Sequence, residues 1–366
     1  MLMSDTRAEI DSAFMDHLGS SIHDAVRHAH LIGSGAVAEL EQKLCTFYGT
    51  KHALAVSSGT AGLLAVALAI DLNNSDFIAQ PLVFGGSLAS WLMLGNHPVF
   101  TDIDPQTLTL DPNRVRENIS DSTRAILGID TFGNPSDSEA LRRIADEAGI
   151  WYISDSCQGL GAFRNGRPAG YLADAIVVSF TSTKTIAAGE GGAIITNNTD
   201  LYHRLLWFTQ HPLRQKRELG LRLFNEFAVN TRIHPLAASW ANATFETSIS
   251  GLRSFQRFCL DAISCLNESG LIEPVDFSSE NILPSFYCLS VARKQGVTVK
   301  SLLRYLGSRG IKATAAPIPA TLVHKNTVFL TQFGDQFSLP RACFVAEQAE
   351  KRTALSFAKQ TVKEAS

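Results

Sequence analysis

Residues 52 to 72 read HALAVSSGTAGLLAVALAIDL, an apolar run that passes through a glycine-containing turn into a second apolar stretch. His52–Ser58 has the length and composition of a buried strand, and Leu63–Leu72 has those of a helix. The turn between them, Gly59-Thr60-Ala61-Gly62, leads straight into the helix, so its backbone N–H groups and the positive end of the helix dipole would suit a phosphate. Capping of the helix by a hydroxyl side chain is the alternative interpretation of this turn.

The alternation of apolar runs and helical stretches continues to residue 196. Runs rich in Val, Ile, Leu and Phe recur at strand length, namely Phe77–Val83, Pro98–Ile103, Ala125–Phe132, Ile150–Asp155, Ala175–Thr181 and Ala193–Thr196. Helix formers lie between some of them, most clearly in Ser136–Ala148, which opens on a Ser/Asp cap and has acidic residues in its first turn. We therefore predict an α/β fold whose mainly parallel sheet is flanked by helices.

Beyond about residue 240 the pattern changes to isolated elements. A helix is predicted over Arg253–Cys265, a strand over Ser285–Val291 and a helix over Val299–Arg309. We predict a large domain over residues 1–240, which includes an N-terminal helical segment, and a smaller α+β domain over residues 241–366.

Composition and charge limit the expected partners of this chain. It has 366 residues, a net charge of -3 and 18% charged residues, so a nucleic-acid surface is not indicated. The six cysteines form no CxxC pair, and the histidines near the N-terminus lack zinc-ligand spacing, so we expect no metal site. We find no signal peptide and no apolar run of membrane length, and expect a cytoplasmic protein whose partners are small molecules and a second copy of itself.

Polar and aromatic side chains follow several of the predicted strands, where ligands of such sheets gather. Asp155 ends one apolar run, and its carboxylate could keep a heteroaromatic ring nitrogen protonated. Lys184 follows Ser179 in a turn rich in hydroxyl groups, and a lysine amine can condense with an aldehyde. Phe84 could stack on a flat cofactor. Taken singly, these residues could equally be an acid in a turn, a solvated lysine and a core phenylalanine, but their combination at the ends of one sheet favours a cofactor site.

Three segments together resemble motifs of the DegT family, the sugar-aminotransferase branch of the fold-type I enzymes that use pyridoxal 5'-phosphate (PLP). Ser57-Ser58-Gly59-Thr60-Ala61 resembles the family's phosphate turn, and Phe132-Gly133-Asn134-Pro135 resembles its Gly-x-Pro segment. Ser179 through Lys184, followed by Gly189-Glu190-Gly191-Gly192, resembles its lysine loop. The similarity is strongest over residues 30–240. It implies the aspartate-aminotransferase fold and PLP as the cofactor.

The resemblance also implies a role for each matching residue. Lys184 would hold the cofactor through its amine and Asp155 would pair with the ring nitrogen, which makes these two the catalytic residues. Gln158 would contact the phenolic oxygen of the ring, and Phe84 would stack on the ring. The cofactor phosphate would be held by Gly59, Thr60, Ala61 and Ser179. Asn230 would reach the phosphate bound by the other subunit, so a homodimer with a shared active site is implied.

The resemblance implies an aminotransferase that moves an amino group from an amino acid, glutamate by analogy, to a keto-sugar, commonly a nucleotide-linked one. The chain departs from the family where Ser154-Asp155-Ser156-Cys157-Gln158 replaces the usual Glu-Asp-Ala-Ala-Gln, where Pro212 follows His211, and where Thr231 replaces an aromatic residue. These changes leave the cofactor assignments intact and the substrate unassigned. Arg341 and Arg352 are candidates for binding an anion, or are ordinary surface arginines.

Two alternatives remain open. The chain could be another PLP enzyme that acts on a sugar or a cyclitol, although the retained Lys184 argues against the dehydrase that has a histidine at this position. It could also be a non-catalytic PLP-binding regulatory protein, for which the altered residues on the substrate side are the only support.

Overall fold

The computed structural model describes residues 12–27, 33–223, 227–278, 281–317 and 351–357. The helices of these residues are α1 (Ser12–Arg27), α2 (Ala36–Tyr48), α3 (Gly59–Ala69), α4 (Gly85–Met93), α5 (Pro112–Asn118), α6 (Ser138–Ala148), α7 (Thr199–Thr209), α8 (Pro212–Leu219), α9 (Pro235–Glu268) and α10 (Val299–Ser308). The strands are β1 (His52–Val56), β2 (Asp76–Ala79), β3 (His97–Phe100), β4 (Thr123–Ile129), β5 (Trp151–Asp155), β6 (Phe163–Arg164), β7 (Arg167–Pro168), β8 (Ala175–Ser179), β9 (Gly192–Thr196), β10 (Ile282–Leu283), β11 (Leu289–Ala292), β12 (Ala313–Pro317) and β13 (Arg352–Phe357). None of these helices is long and apolar enough to span a membrane.

A seven-stranded sheet in the order β1-β9-β8-β5-β4-β2-β3 forms the centre of the molecule. Strand β9 runs antiparallel to both of its neighbours, and the other neighbouring pairs are parallel. The predicted α/β fold with a mainly parallel sheet is confirmed. Most of the predicted strands ran a few residues too far, because the apolar residues beyond the carboxyl ends belong to turns rather than to the ladder.

Successive residues of each strand face opposite sides of this sheet, and both sides are covered by helices. Val177 and Ile194 pack in the apolar cluster that includes residues of α3 and α7. Their neighbours Ile176 and Ile195 pack in a second cluster with residues of α2 and the first part of α9. Strands buried on both faces read as continuous apolar runs, which is why they were recognisable in the sequence.

The helix α3 begins four residues earlier than predicted, since Gly59 is already its first residue. Ser58 caps it by accepting a hydrogen bond from the N–H of Ala61 at 3.0 Å. The glycine-containing turn is therefore the first turn of the helix itself. This confirms the capping interpretation and leaves the same helix end facing the carboxyl edge of the sheet.

A second layer of structure comes from the C-terminal part of the chain. Strands β11, β13 and β12 form a three-stranded antiparallel sheet, which packs with α10 and the last part of α9 around one apolar cluster. The predicted division between residues 240 and 241 lies inside α9, a helix of 34 residues. Phe245 belongs to the cluster under the large sheet and Cys259 to the C-terminal cluster, so α9 contributes to both cores.

The predicted strand Ser285–Val291 is correct only in its second half, where β11 starts at Leu289. Before that point the chain turns toward the large sheet, and Phe286 has a φ of 57°. The N–H of Ser285 donates to the carbonyl of Gly133 at 2.9 Å, and that of Cys288 donates to Phe132 at 3.2 Å. These backbone groups bind a loop of the large sheet instead of a neighbouring strand.

Candidate active site

The carboxyl ends of the strands β1, β5 and β8 meet at one edge of the large sheet. A Cβ atom added to Gly59 would lie 2.5 Å from Sγ of Cys157 and 3.3 Å from Cβ of Ser179. The start of α3, the turn after β5 and the end of β8 are thus in direct contact. A ligand at this helix end would meet the N–H groups of Gly59 and Thr60, since the N–H of Ala61 is bound to the cap.

Cys157 lies behind this turn as a packing residue. Burial raises the pKa of its thiol well above the usual value, and the neighbouring carboxylate of Asp155 raises it further. Lys184 acts on the same thiol in the opposite direction and lowers its pKa. The thiol therefore stays neutral, and Asp155 and Lys184 both lie close enough to influence it.

The two predicted catalytic residues are Asp155, the last residue of β5, and Lys184, which lies in the turn after β8. Asp155 is only 3% exposed, and one of its carboxylate oxygens accepts the N–H of Cys157 at 3.0 Å. The backbone N–H of Lys184 donates to Thr181 at 2.9 Å and so fixes the turn that carries it. Its ammonium group lies 4.5 Å from the centre of the Tyr287 ring. The lysine is half-buried and is not the solvated surface charge of the alternative interpretation.

Gln158 occupies the turn after Asp155, and its amide is oriented by the backbone. Its Oε1 accepts the N–H of Phe132 at 2.7 Å, a group that can only donate. The carbonyl of Gln158 accepts the hydroxyl of Ser285 at 2.6 Å. The side-chain NH2 group is thereby left as the end of Gln158 that can donate to a ligand.

Phe84 is exposed over 70% of its surface, so the interpretation as a core phenylalanine is wrong. It is the residue before α4, and a Cβ atom added to Gly86 would lie 2.7 Å from its ring and 3.0 Å from Oγ1 of Thr60. The ring therefore stands beside the first turn of α3. A flat ligand held at that helix end would have an aromatic face next to it.

Asn230 makes its side-chain hydrogen bond within its own segment of the chain. It is exposed, and its Oδ1 accepts the N–H of Arg232 at 3.4 Å. The next residue, Thr231, accepts the N–H of Ser57 at 2.7 Å, which ties the segment to the strand that leads into the phosphate turn. The predicted site residues between Gly59 and Lys184 thus lie at one edge of the sheet, whereas the Asn230 side chain makes a hydrogen bond with the nearby Arg232.

Tyr287 and Asp130 are two residues near the site that were not among the predicted site residues. The Tyr287 hydroxyl lies 3.4 Å from that of Thr183, and its ring covers the Lys184 amine. Tyr287 is 103 positions from Lys184 along the chain, and no local pattern marks it. Asp130 is fully buried in a predicted apolar run, and this interruption by an acid was the available signal.

Arg352, a predicted candidate for anion binding, is buried and contacts protein groups. It donates to the carbonyl of Pro105 at 2.8 Å and to the Ser290 hydroxyl at 3.1 Å, and burial lowers its pKa. These contacts join β13 to a loop of the large sheet. The other candidate, Arg341, lies outside the described residues.

One known protein family matches the part of the chain that carries these strand-end residues. The model of the DegT/DnrJ/EryC1/StrS aminotransferase family matches residues 17–356, nearly the whole chain. The chain belongs to this family. The three motifs that resembled the DegT family all lie within the matched range.

An individual relative of this DegT-family chain matches a shorter part of it than the family model does. The chain is 30% identical over 226 residues to UDP-2-acetamido-2-deoxy-3-oxo-D-glucuronate aminotransferase of Pseudomonas aeruginosa, a match that covers 61% of the chain and 62% of that enzyme. The match thus spans less than two thirds of the relative's length.

Solved structures of similar fold cover the chain more completely. The structure of DesI in the presence of its TDP-sugar product has a TM-score of 0.73 and 26% identity, and the match covers 94% of this chain and 85% of that one. GDP-4-keto-6-deoxy-D-mannose-3-dehydratase of E. coli, solved with bound hydrated PLP, has a TM-score of 0.80 and 21% identity, with 96% and 94% covered. The second likeness concerns the fold alone.

Proposed function

We propose that this chain is a PLP-dependent aminotransferase that moves an amino group from an amino acid to a keto-sugar. Glutamate is the first candidate for the donor, and nucleotide-linked keto-sugars are the proposed class of acceptor. The observation that carries this proposal is the location of the half-buried Lys184 and the buried Asp155 at the same sheet edge as the α3 N-terminus, both close enough to Cys157 to alter the pKa of its thiol. The family and the nucleotide-sugar relatives support the choice of substrate class.

The residues at this edge fit the groups of PLP one by one. A phosphate would be held by the first turn of α3, with Thr60 and Ser179 as hydroxyl donors beside Gly59, whose missing side chain lets the turn pack against Cys157 and Ser179. The exposed ring of Phe84 next to Thr60 would cover one face of the pyridine ring. The free NH2 group of Gln158 would donate to the phenolic oxygen.

The bound cofactor would supply an electron sink for the bond-breaking at the substrate carbon. Asp155 would hold a proton at the ring nitrogen, because a buried opposite charge favours the protonated form. Lys184 would anchor the cofactor through its amine. When its amine is free, the same Nζ atom would be the base that takes the proton from the donor α-carbon. The Tyr287 ring, at 4.5 Å, would restrict the positions that the released ammonium group can adopt.

We also propose that the protein is a cytoplasmic homodimer whose subunits complete each other's sites. Asn230 is exposed, and its neighbours Phe227 and Val229 are apolar side chains with 95% and 42% of their surfaces exposed. Exposed apolar side chains grouped in this way are typical of a protein interface. Asn230 of the second subunit would then reach the phosphate at the α3 turn.

An absorbance titration of the purified protein tests the proposed function. Glutamate or another amino donor should shift the cofactor band to that of the pyridoxamine form, and addition of a suitable nucleotide keto-sugar should reverse the shift. Lys184→Ala should abolish both changes, whereas Lys51→Ala, which alters an exposed lysine elsewhere, should leave them intact. Absence of a shift with every amino donor would contradict the aminotransferase assignment. An unchanged spectrum in Lys184→Ala would contradict the role of the lysine.

A further inference from the structure

A second acidic residue, Asp130, is hydrogen-bonded to Asp155 through the backbone. Asp130 follows the last residue of β4 and has no exposed surface. Its backbone N–H donates to the carbonyl of Asp155 at 3.1 Å, and the preceding residue, Ile129, is paired with Asp155 in the sheet. The two acids are therefore side by side at the carboxyl ends of neighbouring strands.

The carboxylate of Asp130 binds two different turns. One oxygen accepts the backbone N–H of Ser136 at 2.8 Å, in the segment before α6. The other accepts the hydroxyl of Ser156, in the turn that follows β5. A Cβ atom added to Gly159 would collide with this second oxygen, so the turn closes tightly over the carboxylate. Asp130 thus joins the loop after β4 to the turn after β5.

The turn over residues 156–159 carries Gln158, one of the proposed cofactor contacts. It is closed by a hydrogen bond from the N–H of Gly159 to the carbonyl of Ser156 at 2.9 Å. Gln158 itself is bound by the N–H of Phe132, which lies in the loop that Asp130 begins. The same two segments are therefore joined twice, once through the Asp130 carboxylate in the interior and once through the Gln158 amide at the site.

We propose that Asp130 is a positioning residue, whose carboxylate holds the turn over residues 156–159 so that Gln158 and Asp155 keep their orientation toward the cofactor ring. This inference rests on the proposed function, in which Asp155 and Gln158 contact that ring. Because Asp130 has no exposed surface, it would act through Ser156 rather than by contact with a ligand. Burial of a carboxyl group costs free energy. An apolar residue could not replace Asp130, because it could not accept the hydrogen bonds from the two turns.

The experiment compares PLP binding in Asp130→Ala and Asp130→Asn. The alanine variant leaves the N–H of Ser136 and the hydroxyl of Ser156 without their acceptor, so the PLP dissociation constant should rise about tenfold and the absorbance maximum of the bound cofactor should move. The asparagine keeps an oxygen for Ser136 and can donate to Ser156, so it should bind PLP within about threefold of the wild type. Fluorescence titration of the cofactor-free full-length protein measures both constants.

Asp174→Ala is the matched control at the other end of β5. Asp174 accepts the N–H of Tyr152 at 2.9 Å and pairs with Arg142 at 2.9 Å, so its loss should lower the melting temperature and leave PLP affinity unchanged. If Asp130→Ala behaves like Asp174→Ala, with reduced stability and unaltered PLP affinity and absorbance, the positioning role is wrong. If Asp155→Ala also leaves PLP binding unaltered, the proposed cofactor site fails as well, which distinguishes the two outcomes.

Ser156→Ala provides an independent test if Asp130→Ala does not fold. It removes the hydrogen bond between the carboxylate and the turn, together with a 3.3 Å contact to the Ser154 hydroxyl, and PLP affinity should fall in the same direction by about threefold or more. In the double variant, loss of Ser156 should add little to the effect of Asp130→Ala, because both residues act through one hydrogen bond. Unchanged affinity in Ser156→Ala, or additive effects in the double variant, would overturn the inference.

Discussion

Asp130 is a carboxylic acid whose proton is held more tightly in the folded protein than in the unfolded chain. Burial raises its pKa from 3.8 to about 6, although hydrogen bonds from Ser156 and Ser136 lower it and the charge of Asp155 adds to the rise. The titratable groups of the described structure that face it are Asp155, Cys157, Tyr48 and Tyr152. The acid should therefore titrate near pH 6.

This shift predicts a pH dependence of stability that Asp130→Asn should remove. Between about pH 4 and pH 6 the folded protein keeps the proton that the unfolded chain has lost, so unfolding releases a proton. The contribution of Asp130 to the free energy of unfolding therefore falls as the pH rises, by about 1.4 kcal/mol per pH unit. Relative to the wild type, the asparagine variant should gain roughly 3 kcal/mol over this range.

Urea unfolding of both proteins at several pH values measures the difference. Ser156→Ala serves as the control, because it keeps the carboxyl group and loses a hydrogen bond that lowers the pKa of Asp130. It should retain the fall in stability. A constant difference between wild type and Asp130→Asn from pH 4 to pH 6.5 would show that this acid does not titrate in the expected range.

The site residues next to strand ends could be predicted from the sequence, whereas the residues that contact them from remote parts of the chain could not. Lys184, Asp155 and Gly59 each follow an apolar run, so their location at the carboxyl edge follows from the chain order alone. The contact of Tyr287 with Lys184 depends on how the C-terminal layer packs against the large sheet. Which of the many remote side chains meets the lysine is decided by that packing.

A glycine, Gly62, allows the helix α3 to pack closely against the large sheet. A Cβ atom added to Gly62 would lie 2.8 Å from Cγ1 of Val177 and 3.4 Å from side-chain atoms of Ile194 and Val56. These β-branched side chains belong to the strands β8, β9 and β1 and have few other rotamers. The close approach fixes the position of the N-terminus of α3, and with it the proposed phosphate turn.

Gly62→Ala should therefore destabilise the protein by about 1–3 kcal/mol, since overpacking outweighs the better helix propensity of alanine. Gly251→Ala is the matched control, since Gly251 lies inside α9 with no atom within 4 Å of its Cβ position. That substitution should stabilise the protein by about 0.5–1 kcal/mol. Urea denaturation of the two variants measures both effects, and equal changes of the same sign would contradict the close packing of α3.

The long helix α9 was only partly predicted, because local propensity and tertiary packing disagree over its first half. The residues before Arg253 include many of Ser, Thr and Asn and the glycine at position 251, which are poor helix formers. In the structure this half is stabilised by buried contacts of Ala238, Ala241 and Phe245 with the large sheet layer. Packing therefore extends the helix through a stretch that its own sequence does not favour.

The whole molecule gives a test of the proposed shared active site. If Asn230 acts in the site of the other subunit, Lys184→Ala and Asn230→Ala should each be deficient as homodimers. A heterodimer of the two variants has one site with an intact lysine and an intact Asn230 from the other chain. Co-expression or subunit exchange should then restore up to about one quarter of the wild-type activity, because half of the dimers are mixed and each has one complete site.

The control for this complementation pairs Lys184→Ala with Asp155→Ala, two residues that lie at the same sheet edge of one chain. Their heterodimer has no complete site, so mixing should restore nothing. Size-exclusion chromatography with light scattering should show a dimer for every variant. Failure of the first pair to gain activity, with mixed dimers present, would place Asn230 in the site of its own chain or outside it.

The alternating strands and helices, the turn at Gly59, the acid that ends β5 and the lysine that follows β8 could all be predicted from the amino-acid sequence. These features depend on local chemistry, on apolar runs long enough for buried strands and on small residues at the turns. The hydrogen bond between Asp130 and Ser156, the ring of Tyr287 over Lys184 and the continuity of α9 became visible in the folded chain. Each of these features joins segments that are far apart in the sequence or depends on such contacts. The packing of the whole chain sets their relative position, and a short stretch of sequence does not contain the contacts whose energies decide that packing.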